Sequence, residues 1–108
     1  MRKPRAKPEP LMITLKWLRE NGACLTSRKA FRETFGDSAE LTLRNIRAMD
    51  KRINASVACW LAHRLLSIAD EQAYRIERDA HDWLNCSDGC DKLLMEYHRR
   101  GQCRLTNA

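Results

Sequence analysis

The stretch LTLRNIRAMDKRINASVACWLAHRLL, residues 41–66, carries two helical patterns separated by a polar turn. In the first, Thr42 is suited to cap a helix that runs to about Asp50. In the second, Asn54 or Ser56 is suited to cap a helix with a continuous apolar stripe. That stripe consists of Val57, Trp60, Leu61 and Leu65. Two short amphipathic helices in succession predict a helical domain.

Towards the N-terminus, two more helices are predicted. Apolar residues recur at helical spacing from Leu11 onward, and Gly22 supplies a natural stop. Ser27 can cap a second helix that ends at Gly36. Residues 1–10 hold all three prolines and four basic side chains, a composition that predicts a flexible, disordered basic arm.

Towards the C-terminus, Asp70 is predicted to open a longer fifth helix, and a last helix spans about Gly89–Arg100. The fifth helix shows an apolar stripe made of Ala69, Ala73, Ile76, Ala80, Trp83 and Leu84. The opposite face carries charge pairs of opposite sign at i,i+4 spacing, which is typical of a solvated surface. In the last helix the predicted buried residues are Leu93, Leu94 and Tyr97. The three tryptophans, Trp17, Trp60 and Trp83, are interpreted as core residues, with Trp17 as the alternative candidate for an exposed partner anchor.

No segment sustains the two-residue alternation of a half-buried strand. We therefore predict an all-α fold, a compact bundle of five or six short helices. Residues 11–101 form a single helical domain, residues 1–10 the basic arm, and residues 102–108 a C-terminal tail. The chain of 108 residues has a length suited to one domain.

The charge is unevenly distributed. The formal net charge is +6, with +8 over residues 1–69 and −5 over residues 70–96. A positive balance favours anionic partners. No apolar run approaches the ~18 residues of a membrane span, and the N-terminus lacks the features of a signal peptide. The odd number of cysteines agrees with a reducing compartment, so we expect a cytoplasmic protein without membrane contact.

Basic side chains recur on the second and third predicted helices. The candidate partner-binding residues are Arg28, Lys29, Arg32, Arg44, Arg47, Lys51 and Arg52. Their spacing places several on one helix face, where arginine offers phosphate groups paired hydrogen bonds. The alternative is a set of solvated helix faces, partly paired with acidic residues. A helix-turn-helix over residues 27–52 is disfavoured, because the connection between the helices exceeds the usual 3–4 residues.

The C-terminal cysteines have the spacing C-x3-C-x7-H-x4-C. The corresponding residues, Cys86, Cys90, His98 and Cys103, contain the ligand set of a structural zinc site. The first pair is one residue wider than the commoner C-x2-C, and buried thiols also serve as small apolar side chains. Core thiols are therefore the favoured interpretation, with no cofactor, and zinc is the alternative.

Catalytic patterns are absent from the sequence. The three histidines are scattered, no serine lies in a nucleophile elbow, and there is no glycine-rich phosphate loop. We expect a protein that is not an enzyme and has no small-molecule substrate.

Three segments resemble small helical accessory proteins of bacteriophages and mobile elements. They are WLRENGAC (residues 17–24), FGDSAELT (residues 35–42) followed by Asn45-Ile46, and WLAHRLL (residues 60–66). The likeness covers about residues 11–66 and excludes the cysteine-containing C-terminal part. It implies a non-enzymatic factor that binds a host protein or nucleoprotein complex, such as an anti-defence or anti-CRISPR-type inhibitor.

Two alternatives remain open at the sequence level. A basic surface would contact an acidic partner or bound nucleic acid, whereas the acidic residues 70–96 would mimic nucleic-acid phosphate. A nucleic-acid-binding regulatory protein, with zinc bound by the C-terminal ligand set, is the second hypothesis for function.

Overall fold

The computed structural model describes residues 10–80 and 87–105, most of which are helical. Six helices and two short strands lie in the described part. The helices are α1 (Leu15–Glu20), α2 (Leu25–Phe35), α3 (Leu43–Ile53), α4 (Ala58–Leu65), α5 (Ile68–Ala80) and α6 (Ser87–Arg99). The strands are β1 (Met12–Thr14) and β2 (Ser38–Glu40). The predicted all-α class and compact bundle are confirmed, while residues 1–9 of the predicted arm lie outside the described residues.

The first helix begins later than predicted, because its expected first turn is a strand. Met12–Thr14 pairs antiparallel with Ser38–Glu40, and Ile13 lies opposite Ala39. Thr14 then caps α1 by accepting a hydrogen bond from the Trp17 amide at 3.0 Å. Strands of three residues are too short to show alternation, which explains why sequence periodicity missed them.

Two predicted caps are also corrected. The helix α2 begins at Leu25, so Ser27 lies in its first turn and not at the N-cap. The helix α4 begins after Val57, and its cap comes from neither Asn54 nor Ser56. Asn54 instead forms the C-cap of α3, where it adopts the left-handed conformation with φ 54°. The predicted Thr42 cap of α3 is confirmed, since the Asn45 amide donates to its hydroxyl at 3.1 Å.

The core is organised around α6, which packs against α3, α4 and α5. Leu94 is fully buried, and the predicted partners Leu93 and Tyr97 are buried beside it. Trp17 is 4% exposed and forms an edge-to-face pair with Trp60 at 5.9 Å between ring centroids. Its predicted core role is therefore confirmed, whereas Trp83 lies outside the described residues.

The orientation of α5 differs from the prediction. Ile68 and Ile76 are 80% and 71% exposed, and Ala69, Ala73 and Ala80 are exposed with them. The buried residue of this helix is Tyr74. The predicted apolar stripe is therefore wrong over the described part of the helix. The opposite face turns inward because one large aromatic ring buries more area than several alanines.

Candidate functional site

Three basic side chains form one face of α3. The Thr42 cap sets the helix phase, and at about 100° per residue Arg44, Arg47 and Lys51 fall within about 60° of one another. We call these three residues the α3 basic face. Together with Leu43 and Ala48 they line a shallow depression on the surface. Apolar stems and cationic ends thus share one concave strip.

The cations of this face differ in availability. Arg44 and Lys51 are exposed, and neither forms an ion pair or hydrogen bond with another described residue. Arg47 is half-buried and interacts within the fold. Among the described residues, the face thus presents two cations without an internal partner and one, Arg47, that interacts within the fold.

Arg52, although adjacent in sequence, belongs to a different flank of α3. It lies about 100° around the helix from Lys51, and its guanidinium forms an ion pair with Glu33 of α2. This ion pair joins the two helices on the side of α3 that faces α2. Arg52 is thus already neutralised by an acidic partner.

The remaining candidate cations lie on α2. Arg28 donates from Nε to the Ala23 carbonyl at 3.2 Å, which ties its side chain to the turn before the helix. Lys29 and Arg32 are exposed and have no ion pair among the described residues. The seven predicted partner-binding residues are therefore distributed over two helices, with the Glu33–Arg52 pair between them.

Among the described residues of the acidic segment 70–96, most carboxylates are engaged within the molecule. The Glu71 carboxylate lies 2.7 Å from His63 Nδ1 and 3.3 Å from the Arg75 guanidinium. Asp70 accepts a hydrogen bond from Gln102 at 3.0 Å, and Asp79 pairs with Arg78. Glu96 of α6 likewise pairs with the two arginines that follow it. A phosphate mimic needs unpaired carboxylates, and those named here have partners.

The described members of the predicted zinc ligand set are not brought together. Cys90 and His98 lie on the same helix eight positions apart, a rise of about 12 Å, whereas zinc ligands lie ~2.0–2.3 Å from one ion. Cys103 is buried near Asp70, and burial raises the pKa of its thiol to about 12. No cluster of metal-ligating side chains occurs among residues 10–80 and 87–105, and Cys86 lies outside them.

An apolar cavity of about 390 Å³ lies between the strands and helices α2, α3 and α4. Its lining includes Phe31, Phe35, Ile46, Ile53 and Trp60. Three of these residues, Phe35, Ile53 and Trp60, remain only partly buried although they belong to the core. Sequence periodicity predicts which residues face inward, but not how closely opposing side chains meet.

A contact between Cys59 of α4 and Cys90 of α6 was also missed from the sequence. The two residues are distant in the chain, and only the packing of α4 against α6 makes their side chains neighbours. The Tyr74 hydroxyl joins them, since it lies 3.9 Å from the Cys59 sulfur and donates to the Cys90 carbonyl at 3.2 Å. Cys59 and Cys90 are too far apart in the sequence to form a recognisable cysteine-spacing motif. No sequence signal of the kind used above would have found this contact.

Comparison of the chain with protein-family models, curated proteins and solved structures found no match. None of the helices in the described part is long and apolar enough to cross a membrane.

Proposed function

We propose that this chain is a non-enzymatic binding protein that contacts a polyanionic partner through the α3 basic face. The observation that supports it most is the contrast in pairing. Arg44 and Lys51 have no partner among the described residues, whereas Glu71, Asp79 and Glu96 are paired within the fold. Unpaired cations on a concave strip retain their charge for an external anion.

The partner class that fits this surface is a nucleoprotein complex whose nucleic-acid backbone meets α3. Arginine and lysine on one helix face at three- and four-residue spacing can neutralise successive phosphates, and arginine adds paired hydrogen bonds. A side chain suited to reading base edges, Asn45, is instead engaged with the Glu40 carbonyl at 2.9 Å. This argues for contact with the backbone and not with a specific sequence.

The resemblance to accessory proteins of phages and mobile elements gives the proposal its context. A small chain whose cations bind nucleic acid already held by a host complex would act by occupying that site, without catalysing a reaction. An anti-defence inhibitor of that type needs only shape, charge and affinity. We include this role in the proposal.

The test is binding of labelled single- and double-stranded nucleic acid across a salt series. If the face contacts phosphates, replacing Arg44, Arg47 and Lys51 with glutamine should make the negative slope of log K against log salt shallower by about 2–3. The matched control replaces Lys16, Arg19 and Arg104, which are exposed cations outside the candidate set. If both triple variants lose the same amount of nucleic-acid affinity, the effect follows from net charge alone, and the proposal is contradicted.

A further inference from the structure

A second group of reactive side chains lies where α4, α5 and α6 meet, away from the α3 basic face. Cys59 of α4 is half-buried, and Cys90 of α6 is 2% exposed. Their side chains are neighbours where α4 packs against α6, and neither cysteine forms a disulfide. Two residues of α5, Tyr74 and Arg78, complete the group. We call these four residues the dithiol cluster.

The geometry distinguishes the two thiols. Arg78 donates from Nη1 to the Cys59 sulfur at 3.2 Å, so a guanidinium faces that atom directly. The Tyr74 hydroxyl lies 3.9 Å from the same sulfur and donates to the Cys90 carbonyl at 3.2 Å. Tyr74 therefore holds the backbone of Cys90 against Cys59. The guanidinium is placed to stabilise the negative charge that develops when the Cys59 sulfur reacts.

The environment of Cys90 is different, because its side chain is almost fully buried. Burial, followed by the neighbouring Cys59 sulfur, raises the pKa of the Cys90 thiol to about 11. Because Cys90 is 2% exposed, a reagent in solution does not reach its thiol directly. The Cys90 thiol remains adjacent to the Cys59 sulfur after that sulfur has been oxidised.

We propose that Cys59 and Cys90 form a hydroperoxide-sensitive modification site, in which Cys59 is oxidised first and Cys90 then closes an intramolecular disulfide. In the first step the Cys59 thiolate attacks one oxygen of the hydroperoxide, and the O–O bond breaks. For hydrogen peroxide, Cys59 becomes a sulfenic acid, and the departing hydroxide takes a proton to become water.

In the second step the Cys90 sulfur attacks the Cys59 sulfur. The S–O bond breaks, and the departing hydroxide takes the Cys90 proton to leave as a second water. The two thiols have lost two electrons and two protons in total, and the peroxide has been reduced to water. The product is a covalent link between α4 and α6. This inference is independent of the proposed function of α3.

The experiment uses the full chain with Cys24 and Cys86 replaced by serine. Cys24 is exposed, and its hydrogen bonds to Ser27 lower the pKa of its thiol, so it would compete for peroxide. The reduced protein is treated with hydrogen peroxide, remaining thiols are alkylated under native conditions, and the products are mapped by mass spectrometry. The expected product is a peptide pair joined through Cys59 and Cys90 and lighter by two hydrogens, with Cys103 still reduced.

Two variants separate the roles within the dithiol cluster. Arg78→Gln is expected to slow oxidation of Cys59 roughly tenfold, because the reacting sulfur loses the charge-assisted hydrogen bond from the guanidinium. The matched control is Arg75→Gln, because Arg75 lies on the same helix and contacts Glu71 at 3.3 Å. In Cys90→Ala, Cys59 is expected to stop at sulfenic acid, which a dimedone probe labels.

Three outcomes would overturn the proposal. They are Cys59 oxidised beyond sulfenic acid with no link to Cys90, a disulfide that joins Cys59 or Cys90 to Cys103, and equal oxidation rates in Arg78→Gln and Arg75→Gln. Circular dichroism of every variant verifies that the helical fold is retained.

Discussion

At the scale of single residues, a carboxylate of α3 determines where α4 begins. Asp50 is 9% exposed, and its Oδ1 accepts a hydrogen bond from the Val57 amide at 2.9 Å. Its backbone carbonyl also accepts from the amides of Asn54 and Ala55. One residue thus satisfies the end of one helix and the start of the next, where unpaired amides would otherwise be left.

Replacing Asp50 with alanine is expected to lower the free energy of unfolding by roughly 1–3 kcal/mol, because the Val57 amide loses its acceptor. Urea denaturation followed by circular dichroism measures the change. Asp50→Asn is the control, since the amide oxygen retains an acceptor of the same shape. If both variants unfold at the wild-type urea concentration, Asp50 does not stabilise the junction.

At the scale of elements, α5 shows that an apolar stripe does not by itself determine which face is buried. Tyr74 is buried, and the charged residues flanking it form polar contacts with other parts of the fold. Arg78 bonds Cys59, Glu71 bonds His63, and Asp70 bonds Gln102. Each charge that turns inward has a partner, so burial of this face does not leave unpaired charges.

The orientation of α5 gives a prediction for a pair of matched truncations. Ile76→Ala is expected to change the free energy of unfolding by no more than about 0.5 kcal/mol, because the side chain is exposed. Leu94→Ala on α6 is expected to cost roughly 2–5 kcal/mol, because that side chain is fully buried. Equilibrium urea denaturation of both variants measures the difference. A loss at Ile76 comparable to that at Leu94 would mean that α5 buries its alanine face.

At the scale of the whole molecule, the central helix α6 carries a buried histidine, His98, whose protonation affects the stability of the fold. His98 is 9% exposed, and α6 packs against α3, α4 and α5. Burial lowers the pKa of His98 below its ordinary value of 6.5, and the nearby Glu40 opposes this shift. The folded state therefore binds the His98 proton less readily than the unfolded state does.

The sign of the pH effect follows from this difference. The contribution of neutral His98 to stability is fully present above pH 6.5, the value for the unfolded chain, and decreases as the pH falls towards the lower folded-state pKa. In that window unfolding takes up as much as about one proton. Unfolding free energies measured across the window test this, and His98→Phe is expected to remove the histidine contribution. An unchanged pH dependence in His98→Phe would contradict the prediction.

The charge distribution also belongs to this scale. The sequence predicts a basic front and an acidic back, and the structure adds which charges remain unpaired. Arg52 is paired with Glu33, whereas Arg44 and Lys51 are unpaired among the described residues. Counting charges along the chain cannot make this distinction, because ion pairs depend on which helices pack together.

By itself, the sequence determined the helical class, the N-cap of α3, the C-terminal end of α2 and much of the core of this protein. Those features depend on local signals, namely the Thr42 cap, the stop at Gly36 and the spacing of Leu93, Leu94 and Tyr97. Only the tertiary structure decided the short sheet, the inward face of α5 and the contact between Cys59 and Cys90. Each of these depends on residues distant in sequence, and their contacts arise only when the helices pack.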